Sequence, residues 1–324
     1  MKQKVFISGM IPSVAYDMLS KEFDVTMHND LRLLTKEEII NGVKNSDALL
    51  SLLSDNIDAD IIQAAPNLKI IANYGAGFNN IDLKAATARK IPVTNTPAVS
   101  TNATAELTFG LLLAIARRIV EGDQVTRSGN FTGWAPLYYL GTEVSGKTLG
   151  VIGMGNIGRA VAKRARGFDM KIIYYDKFRQ SPEVEKELGL EFMTQEEVIK
   201  NADFLTLHAN YSPELHHMIG EKELAMMKPS AYLISAARGQ MVDEKALLKA
   251  LQNNTIKGAA LDVYEFEPAI TPGLEKLDNV VLCPHLGNAT VETRDAMAQI
   301  AAQNIISVLK GGKPQSCVNQ EIYS

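Results

Sequence analysis

Short aliphatic and β-branched runs alternate along this chain with stretches in which apolar residues return every three or four positions, and the alternation occurs in two series. In the first, Val5-Phe6-Ile7, Val25-Thr26-Met27, Ala48 to Leu52 and Ile70-Ile71-Ala72 read as strands, and Val14 to Lys21, Lys36 to Lys44 and Ala59 to Ala65 as helices. The second begins at Lys147, with strands Leu149 to Ile152, Lys171 to Tyr175, Phe204 to Leu207, Ala231 to Ser235, Gly258 to Val263 and Val280 to Cys283. Helical patterns at Asn156 to Ala165, Val184 to Leu188 and Glu244 to Leu251 lie between them. Parallel strands need a crossover, usually a helix, so each series predicts a parallel sheet of βαβ units. Six strands in the second suffice for a doubly wound nucleotide-binding sheet.

Between the series, Asn102, Thr104 and Ala105 lead into an expected long helix over Glu106 to Val120, with Arg117-Arg118 near its carboxyl end, where cations suit the helix dipole. The connection SGNFTGWAPLYYLG, residues 128–141, is longer than most connections and carries the only tryptophan, Trp134. Such a segment is either functional or packs against something else, such as a second subunit. Thr290 to Leu309 reads as an amphipathic helix ending at Gly311-Gly312, whose natural place is back on the first domain. The expected division is therefore residues 1–100 with 288–324 as one discontinuous domain, and 101–287 as the other.

Composition narrows the field. With 46% hydrophobic and 22% charged residues the chain is an ordinary folded protein, and a formal net charge of −4 gives no basic field for nucleic acid. Two cysteines, Cys283 and Cys317, build no disulfide framework, and no paired-cysteine motif suggests a metal, so no metal ligand set is expected. The apolar run after the first lysines is too short for a signal peptide, and Leu107 to Ala116 is too short to span a bilayer. A cytoplasmic protein with no membrane partner is expected.

The strongest local motif is Gly153-Met154-Gly155-Asn156-Ile157-Gly158, which follows an apolar strand and opens a helix. The first glycine permits the turn, the second lets backbone approach a pyrophosphate, and the third lets helix and strand pack closely. The pyrophosphate would sit on the helix amino terminus, where free N–H groups and the dipole favour an anion. A second strand ends in Asp176, 18 residues beyond Gly158, where a carboxylate can bind a ribose diol and repel a 2′-phosphate. Lys177 and Arg179 behind it complicate the choice, since an arginine there accommodates NADP. NAD is favoured, with NADP as the alternative.

Three later strands run into polar residues: Ala236-Ala237-Arg238-Gly239, Asp262, and Pro284-His285. Ligands of open α/β sheets bind at such carboxyl ends, so these residues are expected to converge at the reactive end of the cofactor, with His208, Ala236 and Gly287 also facing it. The glycine- and asparagine-rich loop NYGAGFNN, residues 73–80, has the same placement in the first series. Arg238 offers a planar fork for a carboxylate, His285 can exchange a proton, and Glu267 can hold the imidazole and favour its charged form. Together they suit hydride transfer to a 2-oxo acid. Each also has a structural reading: a loop cap for Arg238, a turn for Glu267-Pro268, a structural histidine for His285.

The runs LISAARGQMVDEKAL, GAALDVYEFEP and LCPHLGNAT resemble, in this order, the D-isomer-specific 2-hydroxyacid dehydrogenase family. ALLSLLSDNID, NYGAGFNNID, VTNTPAVSTNATAEL and GKTLGVIGMGNIGRA extend the resemblance over nearly the whole chain. It implies two doubly wound parallel-sheet α/β domains, a Rossmann NAD-binding domain inserted into a flavodoxin-like substrate domain. It further implies that Arg238 binds and polarises the substrate, that His285 is the proton donor with Glu267 as its partner, and that Asp262 contacts the nicotinamide carboxamide. Backbone at Ala76 and Gly77 would hold the substrate carboxylate, and Thr104 would touch the cofactor.

LLSDNID and FTGWAPLYYLG look most like the glyoxylate/hydroxypyruvate reductase branch, in which an aromatic of the second segment reaches the partner subunit's pocket. Two departures stand out: Asn210 where the family usually has proline, and Asn79 where it often has aspartate. The expected activity is NAD(P)H-dependent reduction of a small 2-oxo acid by a homodimer, with Leu53, Ser54 and Trp134 around the substrate. The alternatives are an NADH-sensing corepressor on the same fold, a dehydrogenase for a bulkier 2-oxo acid, and formate or phosphite oxidation.

Overall fold

The computed structural model describes residues 2–324, which divide into two units, residues 2–100 with 289–324, and 101–288. In the first, five parallel strands, β1 (Lys4–Ile7), β2 (Asp24–Met27), β3 (Ala48–Leu52), β4 (Ile70–Tyr74) and β5 (Val93–Thr94), lie in the order β2-β1-β3-β4-β5. This is the doubly wound order of flavodoxin-like sheets. β4 is buried along its whole length, as expected of a strand covered by helices on both faces. Helix Val291–Leu309 packs through Met297, Ala301 and Ile305 with Val5, Leu50 and Ile70 on one face, and Ile39, Ile61 and Ala86 cover the other.

The second unit holds seven parallel strands, β6 (Thr148–Ile152), β7 (Lys171–Tyr175), β8 (Leu190–Phe192), β9 (Phe204–Leu207), β10 (Tyr232–Ser235), β11 (Gly258–Leu261) and β12 (Val280–Leu282). Their order is β12-β11-β10-β9-β6-β7-β8, a Rossmann sheet whose strand order reverses between β6 and β9. The extra strand, β8, escapes the periodicity because three residues, Leu-Glu-Phe, are too few to show one. Helix starts are well signalled. Thr35 with Glu38 and Thr194 with Glu197 form capping boxes, while Asp243 and Thr290 cap the helices they precede.

The helix expected over Glu106 to Val120 is two, Thr101–Ala116 and Ile119–Arg127. Arg118 adopts the left-handed conformation, with φ 54°, which an ordinary helix cannot accommodate. Its guanidinium reaches Glu121 Oε2 from Nε at 2.9 Å and lies 4.6 Å from the Tyr139 ring centre. The Thr142 N–H closes the end of the first helix by donating to the Ala116 carbonyl at 2.7 Å. The break thus belongs to contacts with a distant segment, which local periodicity cannot register.

Candidate active site

The glycine motif leaves β6 at the reversal of strand order, and each glycine there has its own geometry. Gly153 has φ 94°, and a side chain on it would overlap the backbone of His208 and Ala209. Gly158 lies so close to the Gly153 carbonyl that a Cβ has no room, whereas a Cβ on Gly155 would meet only open space. Gly155 also heads helix Asn156–Ala165 with no side-chain cap, leaving N–H groups at the helix start for an anion. An open approach, a close-packed turn and uncapped amides fit a dinucleotide pyrophosphate. Asp176 stands beside this turn, accepting from the Met154 N–H at 2.6 Å and the Phe178 N–H at 2.9 Å.

Arg179 is turned to other work. Its Nε and Nη2 pair with Glu185 at 2.9 and 3.0 Å, and its guanidinium lies 5.1 Å from the Phe192 ring centre. The Glu185 carboxyl is held down to about 2 by Arg179 and the Tyr174 hydroxyl, so the ion pair persists throughout the neutral range. His208 meets the motif through its backbone. Its ring bonds Thr206 through Nε2, Nδ1 is buried without a partner, and burial pushes its pKa down to about 3, so the imidazole is neutral.

Arg238, Glu267 and His285 follow β10, β11 and β12. His285 has φ 55°, an unfavourable conformation for a residue with a Cβ, and its surroundings fix it there. Its N–H donates to the Asp262 carbonyl at 3.0 Å, and the next two N–H groups, of Leu286 and Gly287, donate to Asp262 Oδ1 and Oδ2 at 2.6 and 2.8 Å. Asp262 therefore builds the turn that presents His285, and both of its oxygens are engaged in doing so. Burial raises the Asp262 pKa, partly opposed by these N–H groups. Thr104 lies beside the same turn, where a Cβ on Gly287 would come within 3.4 Å of its side chain.

Glu267 Oε2 sits 2.8 Å from His285 Nδ1, and its other oxygen accepts from the Tyr264 N–H at 3.0 Å. Burial pushes the Glu267 carboxyl up, but the His285 hydrogen bond and charge, the Tyr264 N–H and Arg238 outweigh it and hold it below its usual value. An ionised carboxylate on Nδ1 makes that nitrogen the donor and leaves Nε2 to exchange protons with a ligand. Arg238 Nη1 donates to the Ala237 carbonyl at 2.7 Å, and the guanidinium forms no ion pair among the described residues. Burial lowers its pKa and the charge of Glu267 opposes this, while a guanidinium keeps its proton in any case.

The loop after β4, in the other unit, displays two amides. Asn95 donates Nδ2 to the Ala76 carbonyl at 2.7 Å and Asn73 donates Nδ2 to the Gly77 carbonyl at 2.7 Å. With both carbonyls tied by asparagines, the Ala76 and Gly77 N–H groups find no partner among the described residues, the arrangement an anion requires. Leu53 packs against this loop, close enough that a Cβ on Gly75 would lie 2.8 Å from its Cδ1, and Ser54 beside it is exposed. Asn80 spans to the Leu52 and Asp55 carbonyls at 3.1 and 3.0 Å, so the β3 and β4 loops are joined. Sequence reasoning does not single out these supporting asparagines, although two of them, Asn73 and Asn80, stand within the NYGAGFNN run.

Residues 109–287 match the family described as D-isomer specific 2-hydroxyacid dehydrogenase, NAD binding domain. The chain belongs to this family. A Staphylococcus aureus protein (strain bovine RF122 / ET3-1), whose name assigns it provisionally to the 2-hydroxyacid dehydrogenases, is 56% identical over 317 residues, covering 98% of this chain and 100% of its own. A glyoxylate reductase from Paecilomyes thermophila shares 31% identity and a TM-score of 0.86, with 99% of each chain covered. An NADPH-dependent glyoxylate/hydroxypyruvate reductase from Sinorhizobium meliloti, solved with NADP and malonate, shares 30% identity and a TM-score of 0.86 over 99% of this chain and 98% of that one. The protein is thus an oxidoreductase with the NAD-binding domain of the 2-hydroxyacid dehydrogenases.

Proposed function

We propose that the protein reduces a small 2-oxo acid, glyoxylate or hydroxypyruvate, to the corresponding 2-hydroxy acid of D configuration where the product is chiral, using NADH. The observation that carries this reading is the Glu267–His285 pair, an oriented acid whose second nitrogen is free for substrate, together with Arg238, whose guanidinium forms no ion pair among the described residues. When bound, the reduced nicotinamide supplies the hydride. His285 delivers a proton from Nε2 to the substrate oxygen, and Glu267 stabilises the imidazolium beforehand. Arg238 opposes the negative charge that develops on that oxygen. The free amides of Ala76 and Gly77 take the substrate carboxylate. The names of the two reductases favour the small substrates, and assays of NADH oxidation with glyoxylate, hydroxypyruvate, pyruvate and phenylpyruvate test the choice.

The NADH preference follows from Asp176 and from the engagement of Arg179 with Glu185. Asp176→Ala removes both a diol acceptor and a charge that repels a 2′-phosphate. The KM for NADH rises and the ratio of kcat/KM for NADH over NADPH falls, as steady-state kinetics with both cofactors will read. A wild type that already prefers NADPH overturns the assignment.

The connection at 128–141 supports a homodimer. It is folded onto the chain only in part: Tyr138 and Tyr139 meet edge to face at 4.7 Å, while Trp134 and Leu137 are 84% and 83% exposed. So much exposed apolar surface on one segment marks an interaction site, and a partner subunit's substrate pocket is the place we assign to Trp134. Trp134→Ala should narrow the preference for glyoxylate over phenylpyruvate, mainly through KM for the bulky substrate. Sedimentation of a fully active monomer contradicts this arrangement. No helix among the described residues is long and apolar enough to cross a membrane. We propose a cytoplasmic location, in keeping with Cys283 and Cys317 as free thiols.

A further inference from the structure

Two histidines that this chemistry does not use converge on a carboxylate. His216 and His217 follow the turn Pro213–Leu215, and their rings stack with centres 4.0 Å apart and planes 20° from parallel. His217 Nε2 lies 2.8 Å from Glu265 Oε1, and one ligand atom from each of His216, His217 and Glu265 falls within 4.8 Å of the others. Two of these donors are held by their surroundings. The His217 N–H donates to the Gln240 carbonyl at 2.9 Å, while the Glu265 N–H donates to Glu244 Oε1 at 2.5 Å and its carbonyl accepts from Gln240 Nε2 at 3.3 Å. Asp243 Oδ2 stands 4.0 Å from His217 Nδ1, the ring nitrogen away from Glu265, and adds negative charge beside the cluster.

The His217–Glu265 hydrogen bond explains those two residues and leaves His216 without a role. His216 is exposed and can turn its ring to bring a third donor to the pair. Two imidazoles and one carboxylate with a position open to solvent are a donor set for zinc-class divalent ions, unlike the all-oxygen sets of calcium and magnesium. We propose that His216, His217 and Glu265 bind one such ion and that its binding lowers turnover.

The second half rests on the dehydrogenase reading. Ligands about 2.1 Å from a tetrahedral ion lie about 3.4 Å apart, so the ion must widen the present 2.8 Å contact and shift Glu265. Glu265 precedes Glu267 by two residues, and Gly239, next to Arg238, packs against the Tyr264–Glu265 peptide so tightly that a Cβ would overlap it. A shift of Glu265 is therefore transmitted to the segments that carry Glu267 and Arg238, where small displacements are costly to rate.

The test titrates Zn²⁺ alone into chelator-treated full-length protein by calorimetry, alongside NADH oxidation with glyoxylate at the same Zn²⁺ concentrations. One ion per chain should bind, turnover should fall several-fold as the site fills, and His216→Ala and Glu265→Gln should each weaken binding about tenfold or more. In His216→Ala the inhibition should move to correspondingly higher Zn²⁺, which separates this site from any ion captured by His285 and Glu267. Absence of stoichiometric binding, or equal affinity in wild type and both variants, overturns the site. Saturation with unchanged turnover overturns the inhibition. If no 2-oxo acid is reduced by the metal-free protein, the dehydrogenase reading fails and the calorimetric arm still decides the site.

Discussion

His285→Gln lowers turnover of the 2-oxo acid by ~10²- to 10⁴-fold, the range typical of losing a positioned general acid or base. Glutamine approximates the size of imidazole but cannot cycle a proton, so the turn built by Asp262 should survive. NADH binding, read by fluorescence titration, should change little, because the glycine motif and Asp176 follow β6 and β7, away from the turn after β12 that carries His285. The loss therefore falls on kcat. A variant that retains near-normal turnover would remove His285 from the chemistry and leave the Glu267 contact a structural one.

Arg238→Lys should reduce kcat/KM for the 2-oxo acid by about 10²-fold or more, a loss of the size seen when one preorganised transition-state donor is removed. The charge is kept, so the effect isolates geometry: an ammonium is a point charge and cannot present the paired donors of a guanidinium. Arg238 also approaches its neighbours closely, with Nη1 on the Ala237 carbonyl, and a lysine would lose that anchor. Unchanged kcat/KM in this variant would show that Arg238 serves only the loop between β10 and the following helix.

The fold was legible where periodicity runs over several residues and ends in a turn signal. The βαβ alternation, the glycine motif after β6 and the carboxylate at the end of β7 all have local causes. Two features escaped: the helix break at Arg118, which depends on the distant Tyr139 and Thr142, and β8, which is too short to declare itself. At the site, Arg238, Glu267 and His285 stood out because polar residues after apolar strands are conspicuous. Asp262 is expected against the nicotinamide carboxamide; that its oxygens also accept from the Leu286 and Gly287 N–H groups is visible only once the turn is folded. The same holds for Asn73 and Asn95, whose side-chain amides hold the carbonyls of Gly77 and Ala76.

The central claim is tested most directly by following NADH absorbance after adding hydroxypyruvate to the purified protein, then resolving the enantiomers of the glycerate formed. The account predicts rapid NADH oxidation and D-glycerate as the product. Absence of NADH oxidation with hydroxypyruvate and with every other short 2-oxo acid, or formation of L-glycerate, would contradict it.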